Sequence, residues 1–446
     1  MRFSDKDLRK LIFPLVVEQF LAIAIGMVDT VMVASCGETS VSGISLVDQI
    51  NVLLVGMFTA LASGGSVVAA QFMGRKDREM VGRASNQLFL AVGGLALFFT
   101  GTALVFNRQI LTMIYRSLEP EVMQAARIYF YITALSYPFL GIYNSGAALF
   151  RAVGDSKVSM NVSFVANILN VLGNALLIYG FGWGVAGAAT ATLFSRIVCA
   201  VVICFLLFKS EKIHMSKNWR LDPGMLKKIL YIGVPNGVEN SIFQIGKLIV
   251  SSMIASLGTV AITANAIVGN IAGLQNVPAN AIGVSMITVI GQCIGAGDAD
   301  QGKYYIKKLL KIAYAFGAVC GVLLIVFARP ICSMYHLSRE TSDLVVVVLT
   351  YICICTMLIH PVSFALANAL RAAGDVKYTM VVAIGSMWIF RIGLAYFLSI
   401  YLEIGLLGVW IAMTIDWVVR GTCFVTRVAT GKWAGNIKAI TGERKS

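Results

Sequence analysis

Twelve stretches of mostly apolar residues follow one another along the chain with short connections, each long enough to cross a membrane as a helix. Their approximate bounds are 11–35, 45–72, 86–107, 123–147, 158–180, 184–208, 230–256, 262–290, 309–328, 343–368, 378–401 and 405–427. About twenty apolar residues are needed to cross roughly 30 Å of hydrocarbon. Of 446 residues, 58% are hydrophobic and 13% charged, about half the charged fraction of an ordinary soluble domain, which excludes a water-soluble fold of this size. The reading is an all-α integral membrane protein of twelve transmembrane helices, with nothing left over for a soluble domain. The first stretch is of spanning length and lacks a small-residue cleavage site, so it is read as an uncleaved first helix.

The net charge of +14 could point to nucleic acid, but the basic residues are sorted by side, as a membrane protein requires. One set of connections carries Arg2, Lys6, Arg9, Lys10, Arg75, Lys76, Arg78, Arg83, Arg151 and Lys157. The same side receives Lys209, Lys212, Lys217, Arg220, Lys227, Lys228, Lys303, Lys307, Lys308, Lys311, Arg371 and Lys377, then Arg427, Lys432, Lys438, Arg444 and Lys445. The opposite connections hold Arg108, Arg116, Arg127, Arg329 and Arg339. The positive-inside bias therefore places both termini in the cytoplasm of a multi-pass plasma-membrane protein, and no nucleic-acid partner is expected.

An internal repeat sets the organisation. RAVGDSKVSM (151–160) returns as RAAGDVKYTM (371–380), 220 residues on. At an offset of 221, Pro14, Glu18, Gly37, Gln71, Gly74 and Asp77 fall over Pro235, Glu239, Gly258, Gln292, Gly295 and Asp298. A repeat of six spans, an even number, keeps both copies in the same membrane orientation. The expected division is an N-terminal six-helix lobe (1–208), a basic linker (209–229), a C-terminal six-helix lobe (230–428) and a tail (429–446), the lobes being pseudo-symmetric with a cavity between them.

Charged groups deep in hydrocarbon cost several kcal/mol, so each is a functional candidate by default. Asp29 lies about nine residues, roughly 14 Å of helix, inside the connection near Glu38. Asn174 is nine residues before the turn at Trp183 and Thr192 nine after it, so the three share a depth. Asn167, Asn170 and Asn174, spaced i, i+3, i+7, stack along one helix face. A carboxylate among amide and hydroxyl oxygens could hold a proton or a small hard cation, Na+ included; alternatively the asparagines only bridge helices.

Glu18 and its repeat counterpart Glu239 lie nearer the cytoplasmic side, as substrate or relay groups or as structural bridges. Arg391 and Asp416 are about equally far from the turn joining the last two spans, which permits a buried ion pair. Lys247 and His360 are further deep ionisable groups; His360 precedes Pro361, where a local helix break would expose backbone carbonyls. No P-loop, HExxH or suitably placed GxSxG is present, so no enzyme activity and no cofactor are expected, and energy must come from an ion gradient or a partner. The nine cysteines read as small apolar fillers.

MVDTVMVAS (27–35), AAQFMGRKD (69–77), ALFRAVGDSK (148–157), GVPNGVENS (233–241) and NALRAAGDVK (368–377) together resemble the multidrug and toxic compound extrusion (MATE) transporters over essentially the whole chain. The resemblance implies two six-helix lobes exporting cationic or amphipathic compounds in exchange for protons or sodium ions. Asp29 matches the family's first-helix aspartate of the amino-terminal cation site, with Asn170 and Thr192 as its oxygen-bearing neighbours. Asn174 stands where several members carry a second aspartate, which favours a proton over sodium. His360 and Phe243 stand where NorM-like members have acidic residues, so that branch's second-lobe cation site is not carried over. The protein is expected to act as a monomer in the bilayer, by alternating access of its lobes, the alternative being a lipid-linked glycan flippase of the wider superfamily.

Overall fold

In the structure, a computed structural model, residues 2–115, 119–216, 218–334 and 338–434 are described. Arg116, Lys217, Lys438, Arg444 and Lys445 lie outside the described residues, as does most of the expected tail. The helices of the amino-terminal half are α1 (Asp5–Ala34), α2 (Glu38–Gly74), α3 (Arg78–Val105), α4 (Asn107–Ile114), α5 (Pro120–Leu135), α6 (Tyr137–Ala152), α7 (Ser156–Asn174) and α8 (Gly184–Lys209). Those of the carboxyl-terminal half are α9 (Pro223–Ser256), α10 (Thr259–Gly295), α11 (Ala299–Val326), α12 (Ala328–Met334), α13 (Arg339–His360), α14 (Leu366–Ala372), α15 (Val376–Ser386) and α16 (Leu406–Ala429). Among the described residues, ten helical stretches are individually long and apolar enough to cross a membrane. Two further segments complete the twelve. The 34-residue α9 carries Lys227, Lys228, Glu239 and Lys247, and the fourth expected span is split into α5 and α6 at Ser136, just ahead of Pro138, which lacks the N–H that a continuous helix would need.

The repeat dictates matching local structure. The turns after α1 and α9 are made by Gly37 and Gly258, at φ 96° and 97°, a backbone region that side chains bearing a Cβ disfavour. Asp77 caps α3 by accepting from the Met80 N–H at 3.1 Å, and Asp298 caps α11 by accepting from that of Gln301 at 2.9 Å. The short helices α4 and α12 also begin 221 residues apart.

Lipid tails are as apolar as leucine, so helices in a membrane associate by close packing of small residues rather than by burying oil from water. α2 and α10 are the central helices, each of 37 residues, and the apolar stretch of α10 is 89% buried against 22% for α11. A Cβ on Gly43 of α2 would meet the Ala126 backbone N at 2.8 Å, and one on Gly283 of α10 would meet Asn368 at the same distance.

Two compact units result, Asp5–Gly237 and Val238–Ser446 with Met1–Ser4. The division falls inside α9 rather than in the basic segment 209–229. The first turns of α9 lie against α2, where a Cβ on Gly64 would be 2.7 Å from the Ile229 carbonyl oxygen, and Asn86 and Gln87 of α3 donate to the carbonyls of Ser216, Asn218 and Arg220.

Among the described residues, four segments wind as π-helix: Ala175–Gly180, Pro361–Ala365, Met387–Leu394 and Phe397–Tyr401. The repeat explains one of them. Gly187 packs on Leu177 and Gly408 packs on Leu398 in the same way, an offset of 221, whereas the motif before it repeats at 220. The extra residue of the second copy is absorbed where the helix widens at Met387–Leu394. At Pro361 the chain passes through one π segment and continues to Ala372, so the hydrogen-bond register shifts there.

Candidate functional site

The first polar centre is built on α1, α7 and α8, which pack together in the amino-terminal unit. Thr192 on α8 receives a hydrogen bond from the Asn170 amide at 3.2 Å, Asn174 lies 3.4 Å from the Asn170 oxygen, and the Asn174 amide donates to Asp29. The three residues matched by depth, joined through Asn170 one turn before Asn174, are thus one hydrogen-bonded chain ending on a carboxylate. Asn174 is fully buried, its own oxygen has no partner, and it stands at the α-to-π transition of its helix. Asn167 falls outside this chain, its amide lying 3.5 Å from Ser163.

A second network in the same unit was not anticipated. Asp48 on α2 accepts from Tyr129 at 3.2 Å and from Asn51 at 3.3 Å, Tyr137 donates to Asn51 at 2.8 Å, and Arg196 on α8 donates to Ser136 at 2.6 Å. Asp48 sits close to the edge of its expected span and so reads as interfacial. Arg196, twelve residues into α8, carried a plain sequence signal as a deep cation.

In the carboxyl-terminal unit the expected pair forms, and it is larger than a pair. Asp416, fully buried, binds Arg391 at 2.8 Å and also Arg420, one turn away on α16, at 3.4 Å. Arg391 lies within the π segment Met387–Leu394. Its guanidinium is 4.9 Å from the centre of the Phe243 ring, and the Lys247 ammonium is 5.0 Å from the same ring, the geometry of a cation–π contact. Lys247 has no carboxylate partner among the described residues. His360 stacks on Phe364 at 4.4 Å and meets the edge of Trp417 at 5.3 Å, is 3% exposed, and leaves Nδ1 without a partner.

The two repeat glutamates make the same contact. Glu18 pairs with Arg151 at 3.2 Å and accepts from Ser159 at 3.0 Å; Glu239 pairs with Arg371 at 2.6 Å. The arginines belong to the repeated RAxGD motif. They were read as loop charges, but both lie within helices, α6 and α14, and turn back onto the first helix of their own repeat. Lys212 reaches Asp155 at 4.0 Å, and Arg427 holds Asp375 at 2.7 Å. The Glu–Arg pairing thus recurs at equivalent positions of the two repeats. The carboxylate–amide chain at Asp29 and the cationic group at Asp416 occur in one unit each.

The MatE family model matches residues 14–176 and again residues 235–397, and those segments are themselves 221 residues apart. NorM of Thermotoga maritima, described as a probable multidrug resistance protein, is 29% identical over 445 residues, covering 96% of this chain and 93% of its own. YisQ of Bacillus subtilis, described as an uncharacterized transporter, is 28% identical over 96% of each chain. Among solved structures, a MOP superfamily transporter from Pyrococcus furiosus has the same fold, with a TM-score of 0.88 at 19% identity over 97% of this chain and 96% of that one. An outward-facing multidrug resistance MATE family transporter gives 0.87 at 20% identity over 98% and 96%. The twofold family match, the repeated glycine turns and the repeated Glu–Arg struts agree, and the chain belongs to the MatE family of membrane transporters.

Proposed function

We propose that the protein is a secondary active exporter of small cationic or amphipathic molecules, and that its coupling ion is a proton taken up at Asp29. The observation that carries this reading is the hydrogen-bonded chain from Thr192 through Asn170 and Asn174 to a single carboxylate. An ionised Asp29 attracts a cationic substrate and accepts from the Asn174 amide. Protonation removes that charge and turns one carboxyl oxygen into a donor, for which the partnerless Asn174 oxygen is an acceptor after rotation of the amide. Substrate and proton therefore compete for one charge, and a proton gradient drives export by favouring the substrate-free form on the acidic side.

Alternating exposure follows from rocking of one repeat against the other, as in transporters built from parallel repeats. On this reading the basic connections and both termini face the cytoplasm by the positive-inside bias, and the protein works as a monomer in the plasma membrane. Glu18 and Glu239 serve as struts, and the Arg391–Asp416–Arg420 group holds the second unit together.

The test is transport of a fluorescent organic cation in proteoliposomes, with proton and sodium gradients imposed separately. Accumulation driven by the proton gradient, lost in Asp29→Asn, supports the reading. Accumulation driven by sodium alone would reassign the ion, and normal transport by Asp29→Asn would remove this carboxylate from the mechanism.

A further inference from the structure

The carboxyl-terminal unit encloses a cavity of about 230 Å³ lined by Glu239, Asn240, Phe243, Asn280, Phe364 and Arg420, with Asn368 and Arg371 at its wall. Drug-sized ligands occupy pockets of about 300–1,000 Å³, so this space suits one ring or one end of a larger molecule. Its polar lining holds two guanidiniums, Arg371 and Arg420, beside one carboxylate, Glu239, whose Oε2 has no partner, and the amides of Asn240, Asn280 and Asn368. Arg420 is 3% exposed, and its Nε has no partner. Arg371 gives two nitrogens to Glu239 and Asn368 and keeps a buried Nε without a partner. Arg371 and Arg420 line the cavity, and Lys247 and Arg391 both lie against the ring of its lining residue Phe243, four cations near two carboxylates, Glu239 and Asp416. Burying charge with an incomplete set of counter-ions costs several kcal/mol, a cost that an incoming anion offsets.

Comparison of the repeats separates scaffold from additions. The Glu239–Arg371 strut has its equivalent in Glu18–Arg151. The other groups do not: at the corresponding positions the first unit has Cys199 for Arg420, Ala22 for Phe243 and Asn144 for Phe364. The second copy therefore places a guanidinium and two aromatic rings around a cavity where the first copy has small or neutral groups. Arg420 already lies 5.2 Å from the Phe364 ring centre, and a guanidinium beside an aromatic wall is suited to a planar carboxylate on an aromatic ring.

We infer that this cavity is a binding site for an aromatic carboxylate, held by Arg420 and Arg371 and flanked by Phe243 and Phe364. Its role rests on the export reading: the site takes the acidic end of transported amphipathic molecules.

Benzoate binding to the purified full chain in neutral detergent, measured by calorimetry, tests the site without any gradient, so failure of the Asp29 coupling scheme would leave the outcome untouched. Arg420→Lys keeps the charge and proximity to Asp416 but loses the fork. Asn280→Leu fills the cavity without breaking any hydrogen bond or ion pair described for that residue. Saturable benzoate binding that weakens at least tenfold in both variants, and that benzyltrimethylammonium does not displace, is the expected result. No saturable binding to the unaltered protein, undiminished binding in either folded variant, or equal displacement by the cation of the same shape would overturn the inference.

Discussion

Replacing Asp416 by asparagine removes one carboxylate from between two arginines, and the geometry gives an order of effects that a simple ion pair would not. Arg391 and Arg420 have side chains only 6% and 4% exposed, and Asp416 is their one shared carboxylate, at 2.8 and 3.4 Å. Breaking a buried pair from one side costs about 3–5 kcal/mol because an uncompensated charge remains. Asp416→Asn strands two guanidiniums and belongs at the upper end of that range. Arg391→Ala leaves Asp416 with Arg420 and removes one cation from a group with an excess of them, so its cost should fall to about 2–3 kcal/mol. The double variant should cost less than the sum by about 1–2 kcal/mol, since the two residues touch. Reversible unfolding from mixed micelles with a graded fraction of denaturing detergent measures all three variants. A larger loss for Arg391→Ala than for Asp416→Asn, or losses that add to within about 0.5 kcal/mol, would refute the shared-carboxylate account.

Other outcomes follow from particular contacts. Glu239→Arg and Arg371→Glu should each impair folding, and together they should recover part of the loss in expressed, monodisperse protein; no recovery would mean that the strut is not a pairwise contact. A Cβ on Gly82 would collide with the His214 carbonyl oxygen, so Gly82→Ala should lift the central connection from α3 and speed its cleavage in limited proteolysis, and unchanged cleavage would contradict that packing. Asn174→Asp sets a second carboxylate beside Asp29 and should give sodium-gradient-driven uptake in proteoliposomes that the parent lacks; unaltered ion dependence would show that the charge of this position does not choose the ion.

Much of the architecture is legible in the sequence because hydrocarbon thickness and the repeat are strong one-dimensional constraints. Counting residues from the turns was enough to bring Asp29, Asn174 and Thr192 to one level, and Arg391 to Asp416, since rise per residue converts directly into depth. The method fails where depth does not decide contact. Arg151 and Arg371 lie close to helix ends, so composition reads them as loop cations, and only the fold turns them back onto Glu18 and Glu239. Asp48 was lost for the same reason. The π segments leave no compositional mark, since they change hydrogen-bond register and not polarity. Even so, the step from 220 to 221 in the repeat offset was present in the sequence, and it marks the widened helix that carries Arg391. His360, which its depth singled out in the sequence, packs its ring against Phe364 and Trp417, contacts that depth alone does not give.

The competition of proton and substrate for Asp29 is tested most directly by proton release. Purified protein in weakly buffered neutral detergent solution is mixed with the transported organic cation, and the pH change is followed with an indicator dye from mildly acidic to mildly alkaline conditions. The account predicts release of protons on substrate binding wherever Asp29 is initially protonated, and none from Asp29→Asn. Release of equal size from that variant, or substrate binding with no proton release at any pH, would contradict it.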